Sequence, residues 1–382
     1  MNRLFLFLIF WIYCINLQAQ TLHRFTIGGY VKDLELLSIY GKPAAFQWTN
    51  IFHNRINFKY TYGSSLTARL ESRNLVYSGR NTEANPWLTF TSGDKGFLNT
   101  DWNLLTKKNI SIHTTIDRAL ISYSKNKWEV TLGKQRINWG INLTWNPNDI
   151  FNTYNLFDFD YEERPGNDAI RIQFYPTSFQ SVEFAVAKGR NKADDIYALL
   201  YKFNKYKYDF QILGGVYKEE LTIGAGWAGN ISKAGFKGEL SYFNSLKNSS
   251  SSKPVFTGAL SGDYTFNNGY YINASVLYNS EGGNSLTSIS EFFISTPSPK
   301  ELMPFKYTGL IQASKAFSLL FSTSLTLMYS PSNDILILIP TLNYSLSDSW
   351  EVSLTDQSLF TYQRSQYDDL IHNCYLRLRW SF

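Results

Sequence analysis

Successive side chains of an extended strand face opposite sides, so a strand with one greasy face must be apolar at every second position. Residues 55–62 meet that condition: Ile56, Phe58, Tyr60 and Tyr62 fall on one side, Arg55, Asn57, Lys59 and Thr61 on the other. After the turn Gly63-Ser64-Ser65 the pattern resumes, with Leu66, Ala68 and Leu70 alternating with Thr67, Arg69, Glu71 and Arg73. A hairpin with one apolar and one charged face needs two different surroundings.

The alternation recurs along the whole chain, and short and long connections alternate with it. Short turns are expected near Gly63–Ser65, Ser124–Lys127, Pro176–Gln180, Asn204–Lys205, Ser232–Ala234, Phe266–Asn268, Ala316–Phe317 and Ser347–Ser349. Longer polar segments are expected at Glu35–Asn50, Gly79–Asn109, Gly140–Asn167, Leu246–Lys253 and Asn279–Pro304. Short turns at one end and long loops at the other are the asymmetry of outer-membrane barrels. With a first strand near Arg24–Leu34 and a last near Asp369–Phe382, eight hairpins give about eighteen strands. Sixteen is the alternative, because the first strand and Ile110–Tyr123 alternate less cleanly. The predicted fold is therefore all-β: a transmembrane up-and-down antiparallel β-barrel whose third extracellular loop folds inward.

Energy separates this from a soluble sandwich. Roughly ten Arg and Lys residues lie on the polar parity, and each would cost about 2 to 4 kcal/mol on the lipid face near the midplane. Reversing the parity would exceed the 5–15 kcal/mol that stabilises a typical fold, so the lumen must hold the charges. Aromatic residues make up 17% of the chain, and Trp128, Trp227, Trp350 and Trp380 sit near strand ends, where interfacial girdles are expected.

The ends fit export. Residues 1–20, MNRLFLFLIFWIYCINLQAQ, have one charge at Arg3, an apolar run and a small-residue exit at Ala19, the pattern of a signal peptide. The mature chain, 21–382, would form one barrel domain in the cell outer membrane and keep only Cys374, so no internal disulfide is expected. No later apolar run approaches the roughly 20 residues of a spanning helix. At the other end Leu376, Leu378, Trp380 and Phe382 face one way and Tyr375, Arg377 and Arg379 the other, as in a terminal strand that the barrel-assembly machinery would recognise. The net charge of +5 selects no partner, and nucleic acid does not suit an exported chain.

The candidate site is the insertion at 140–167, whose length and acidity mark it as functional. Asp158, Asp160, Glu162 and Glu163 cluster in it beside Trp139, Trp145, Asn146, Asp149 and Arg164. Barrel closure would gather Lys32, Arg55, Lys59, Arg69, Arg73, Arg377 and Arg379 into a basic lumen wall, with Arg171 a further lumen cation. An acidic loop facing that wall across a constriction would focus a transverse field and select permeants. The alternative is that the acids only pin the loop through Arg136, Arg164 and Arg171 while the tryptophans pack it. A calcium site from Asn146, Asn148 and Asp149, or from Asp158, Asp160 and Glu162, lacks the glycine and the terminal glutamate of a calcium loop. His23, His53, His113 and His372 show no metal-ligand spacing, no cofactor motif is present, and no Ser–His pair can be nominated for an enzyme. His113 and His372 read as lumen or rim residues.

An inward third loop that narrows the channel resembles that of general porins. Gly133–Gly140 (GKQRINWG), Trp145–Asp149 (WNPND) and Glu162–Gly166 (EERPG) resemble a porin-like outer-membrane barrel family of Bacteroidetes, akin to alginate-export and capsule-assembly-type barrels. The resemblance implies a channel for diffusion of small hydrophilic solutes, or alternatively a barrel that binds or exports surface polysaccharide, and not an enzyme.

Overall fold

In a computed structural model the first strand finds the last. The structure describes residues 23–41, 44–79, 96–153, 156–158, 160, 163–247, 253–283, 298–363 and 366–382, without the side chains of 362, 363 and 366–369. The expected signal peptide lies outside the described residues. The strands in chain order are β1 (His23–Tyr40), β2 (Ala45–Tyr62), β3 (Leu66–Gly79), β4 (Asp101–Lys107), β5 (Ile110–Lys125), β6 (Trp128–Gln135), β7 (Asn167–Thr177), β8 (Gln180–Ala187), β9 (Ile196–Lys205) and β10 (Tyr208–Tyr217). They continue as β11 (Glu220–Ile231), β12 (Ala234–Ser245), β13 (Val255–Thr265), β14 (Tyr270–Asn279), β15 (Tyr307–Ala316), β16 (Phe321–Ser330), β17 (Ile335–Ser347), β18 (Trp350–Gln363) and β19 (Gln366–Ser381). All neighbours are antiparallel, β19 pairs with β1, and eighteen strands close the ring. At the seam the backbone N–H and C=O groups of Gly29 and Phe382 bond to each other at 3.0 Å.

The extra strand is β4. Because β6 is only 8 residues long, the long-loop half of β5 is left without it, and β4 pairs along Ile110–Thr115 in its place. β6 ends early because the chain turns into the lumen at Arg136, four residues before the expected loop start.

All eight expected short turns join adjacent strands. The turn near Asn204 falls one step later, at Tyr206 and Lys207, whose φ values of 55° and 66° give the left-handed two-residue geometry that matches strand twist. Phe58, Leu70 and Leu378 face outward as parity requires, and the Trp350 and Trp380 rings lie 6.1 Å apart at the short-turn rim.

One expected loop is corrected. Glu35–Asn50 is strand for most of its length, and only residues 41–44 connect β1 to β2. Parity there is inverted: Leu34, Leu36 and Ile51 face inward and pack with Leu75, Tyr77 and Tyr375, while Asp33 and Glu35 face outward.

Candidate functional site

The segment between β6 and β7 crosses the lumen and returns, held by side chains from distant strands. On the outward leg Trp139 Nε1 donates to Glu183 Oε1 at 2.5 Å, and Gln211 Nε2 donates to the Trp139 carbonyl at 2.8 Å. Glu239 on β12, with no exposed surface, accepts the backbone N–H groups of Ile141, of Asn142 at 2.9 Å and of Asn148 at 2.9 Å. Gly224 and Gly226 on β11 leave room for this turn, since a side chain at Gly224 would run into the Asn148 amide. Thr144 meets Ser275 and Asn273 on β14 at 3.1 and 3.2 Å.

On the return leg Gln357 Nε2 donates to the Phe157 carbonyl at 2.9 Å. Asp160 then reaches Lys32 Nζ at 2.9 Å, His53 Nδ1 at 3.1 Å and Arg377 Nη1 at 3.9 Å. Glu163 accepts the Tyr30 hydroxyl at 2.8 Å and lies 3.7 Å from Arg55 Nε, and Arg118 clamps the Glu163 and Arg164 carbonyls at 2.6 and 2.8 Å. Burial works to raise the Asp160 carboxyl, but Lys32 and His53 outweigh it and hold it below the ordinary carboxylate range. Burial pushes Asp149 up to about 6, against the Trp139 N–H and the Arg164 and Arg136 charges.

The acids therefore sit on the basic wall itself. Lys32 stands directly opposite both His53 and Arg379, Arg55 opposite both Tyr30 and Arg73, and Leu34 opposite Arg377, so Lys32, Arg55, Arg73, Arg377 and Arg379 form one patch across β3, β2, β1 and β19. Lys59 and Arg69 face each other but are exposed near the short-turn mouth, beyond reach of the loop. Arg171 stands apart on β7, where it grips Glu183 at 2.6 and 2.7 Å. Trp139 and Trp145 are 0% and 2% exposed. Asn146 Oδ1 accepts the Asn142 N–H at 3.0 Å, Asn148 Oδ1 lies 2.7 Å from Ser241 Oγ, and Asp149 Oδ1 accepts the Trp139 N–H at 3.3 Å, while Asp149 Oδ2 is buried without a hydrogen bond, 3.8 Å from Arg164 Nη1. Asp158 lies on the same leg, between Phe157 and Asp160, and Glu162 falls outside the described residues.

Sequence reasoning missed Glu183, Glu239, Arg118 and Gln357. One signal was present: alternation lapses into continuous apolar runs at Ile196–Tyr201 and Ile335–Ile339. There the outer face meets lipid and the inner face packs on the loop, Ile196 and Leu200 beside Trp139 and Phe151, Ile335 and Ile337 beside Trp145 and Phe157.

Beside the loop a cavity of about 400 Å³ remains along β14–β19. Leu143, Thr144 and Leu156 bound it from the loop; Asn273, Gln312, Thr326, Thr341, Asn343, Thr355 and Gln357 line the wall with hydroxyls and amides, and Arg377 is its one charged lining residue. Among the described residues no group of three or more His, Cys, Asp or Glu is arranged to hold a metal ion. His372 corrects its expected place: it faces outward on β19, 2.7 Å from Ser358 Oγ. Asp356 bonds that serine rather than orienting the histidine as a triad requires.

No protein-family model and no curated protein matches the chain. Solved structures do. OccAB4 of Acinetobacter baumannii superposes with a TM-score of 0.59 at 6% identity over 94% of this chain and 98% of that one. OccAB1 of the same organism gives 0.58 at 10% identity over 96% and 98%. OpdK of Pseudomonas aeruginosa, an outer membrane protein solved with vanillate, gives 0.58 at 8% identity over 94% and 98%. At such identities the likeness is one of fold, and it runs nearly end to end: the chain is an eighteen-stranded barrel of the outer-membrane kind.

Proposed function

We propose that the chain is an outer-membrane, porin-like channel through which small hydrophilic solutes diffuse, passing between the inward loop and β14–β19. The observation that carries this reading is a lumen crossed by an anchored loop that leaves a cavity of about 400 Å³, lined by hydroxyls and amides with Leu310, Met328 and Ile339 among them. Trp139, Trp145, Asn146 and Asp149 set the form of the constricting loop, Asp160, Glu163 and Arg164 latch it, and Lys32, His53 and Arg55 receive the latch. The acids neutralise that wall by contact, and Arg377, the charged residue on the gap, is itself paired with Glu351 at 2.9 Å, so the gap is left chiefly to uncharged polar groups. Hydroxyls and amides exchange hydrogen bonds with a hydrated solute without holding it, which suits passive diffusion rather than catalysis.

The finer kinship with the Bacteroidetes family rests on motif residues that are also loop anchors, Trp139, Asn146, Asp149 and Arg164. A polysaccharide barrel would need loop aromatics free to stack on sugar rings, whereas among the described residues Trp139, Trp145, Phe151 and Phe157 are packed against the wall. Membrane insertion would proceed through β19, whose terminal alternation ending at Phe382 offers the assembly machinery an amphipathic strand.

Planar-bilayer recording tests the reading. The wild-type barrel is expected to conduct, and deletion of residues 157–165 to raise its conductance. A wild type that passes little current until the deletion is made would favour a plugged, polymer-binding barrel, and unchanged conductance would sink the constriction.

A further inference from the structure

Charge is spread unevenly around the lumen. β19, β1, β2, β3 and β5 turn Arg377, Arg379, Lys32, Arg55, Arg73 and Arg118 inward. β14, β15, β16 and β17, which wall most of the gap beside the loop, hold one charged residue between them, Lys315. It faces outward, its Nζ over the Tyr270 and Phe317 rings at 4.2 and 5.2 Å. The inner face of these four strands is therefore uncharged along their whole length.

The charges that border this face are matched. On the β13 side Asp263 lies 3.7 Å from Lys237. On the β18 side Glu351 lies 2.9 Å from Arg377, which also comes within 3.9 Å of Asp160. A ring of like charges is what a channel uses to favour one sign of ion, and along the gap the described residues form none.

The cavity on this face has two kinds of lining. Toward the short-turn mouth Gln312 Nε2 donates to Thr326 Oγ1 at 3.2 Å and Thr355 Oγ1 to Thr341 Oγ1 at 3.2 Å. Ser324 and Asn343 keep a half-buried hydroxyl and amide on the cavity with no protein partner among the described residues. Toward the loop the lining turns aliphatic, with Leu143 and Leu156 on the loop side and half-buried Ile339 on the wall. No aromatic ring is among the cavity's lining residues.

An ion that gives up water here meets dipoles and no unpaired opposite charge on the described lining, and an uncompensated charge is the costliest group to take from water. A hydroxyl-rich solute meets a close substitute for its hydration. Each Ser and Thr hydroxyl both donates and accepts, and each Asn and Gln amide does so with separate atoms, so a solute hydroxyl finds a partner in either role. The aliphatic side suits the C–H face that a polyol or sugar ring also carries, and without an aromatic ring to stack on, the solute is not retained. The volume of about 400 Å³ is near the small end of the roughly 300–1,000 Å³ of small-molecule sites, which fits one sugar unit rather than a chain of them. Resting on the channel reading, we infer that the gap passes uncharged, hydroxyl-rich solutes of monosaccharide size ahead of ions of the same size.

Uptake of three labelled solutes into proteoliposomes tests this. Sorbitol, gluconate and glucamine are open-chain six-carbon polyols that are neutral, anionic and cationic at pH 7, and symmetrical KCl holds the membrane potential at zero. Sorbitol is expected to enter about tenfold faster than either ion. Asn343→Asp sets one carboxylate on the uncharged face in a side chain of the same shape, and should raise the glucamine-to-gluconate entry ratio about tenfold. Thr341→Val removes one hydroxyl at nearly constant volume and should slow sorbitol. Both variants should keep the heat-resistant barrel that electrophoresis of unboiled protein reads. Either ion entering as fast as sorbitol, or an Asn343→Asp ratio that does not move, overturns the inference and leaves the channel standing. A barrel that passes neither sorbitol nor KCl current overturns the channel reading with it.

Discussion

Glu239→Gln probes how the inward loop is held. The native carboxylate accepts the N–H groups of Ile141, Asn142 and Asn148, and with the side chain 0% exposed no water can replace it. In the amide one oxygen still serves Ile141 and Asn142, but an NH2 faces the Asn148 N–H. One hydrogen bond worth about 1 kcal/mol is lost and one buried donor is left unmade at about 1 to 3 kcal/mol. The sum, about 3 kcal/mol, is roughly a hundredfold in the seating equilibrium at 1.4 kcal/mol per decade. Hydrogen exchange reports such local opening directly: the amides of 141, 142 and 148 should exchange about a hundredfold faster, while the β11–β13 ladder, which the side chain does not enter, keeps its protection. Single-channel records should show bursts of larger conductance. Exchange within twofold of wild type at those three amides would refute Glu239 as the anchor.

Replacing both Arg377 and Arg379 with Glu should move the reversal potential toward cations; no shift would mean that neither lines the pathway. Asp160→Asn takes the carboxylate from the fully buried Lys32, a loss of about 3–5 kcal/mol for a broken buried pair. The melting temperature at pH 7 should fall by several degrees and recover in part with Lys32→Met; an unchanged melting temperature would show that the pair holds nothing. Asp149 is raised from its ordinary 3.8 to about 6, so the folded state binds its proton more tightly than the unfolded one. Its contribution is therefore fully present below pH 4 and is lost as pH rises to 6, by about 3 kcal/mol. Asp160, held low, slopes the other way but only below its ordinary range. Denaturant titrations at pH 4 and 7 should show the Asp149 difference in wild type and its loss in Asp149→Asn; equal differences would refute it.

Most of the wall was legible because alternation is local. Ile56 against Arg55 and Leu378 against Arg377 each state the two solvents within two residues, and the turns follow from where alternation breaks. The reading failed where a third environment intruded. Leu34, Leu36 and Ile51 point inward onto a packed cluster and Asp33 and Glu35 outward, so a test built on lipid outside and water inside took β1 and β2 there for a loop. β4 was illegible for another reason: it exists only because β6 leaves the wall.

From the chain alone came the barrel, its turns and the acidic insertion that interrupts it, since each depends on residues within a few positions of one another. Tertiary structure decided where that insertion goes. Its seats, Glu183, Glu239, Gln357 and Lys32, lie between 44 and 200 residues away in sequence, and a carboxylate or amide on an inward parity looks the same whether it faces water or a backbone N–H until closure brings the two together.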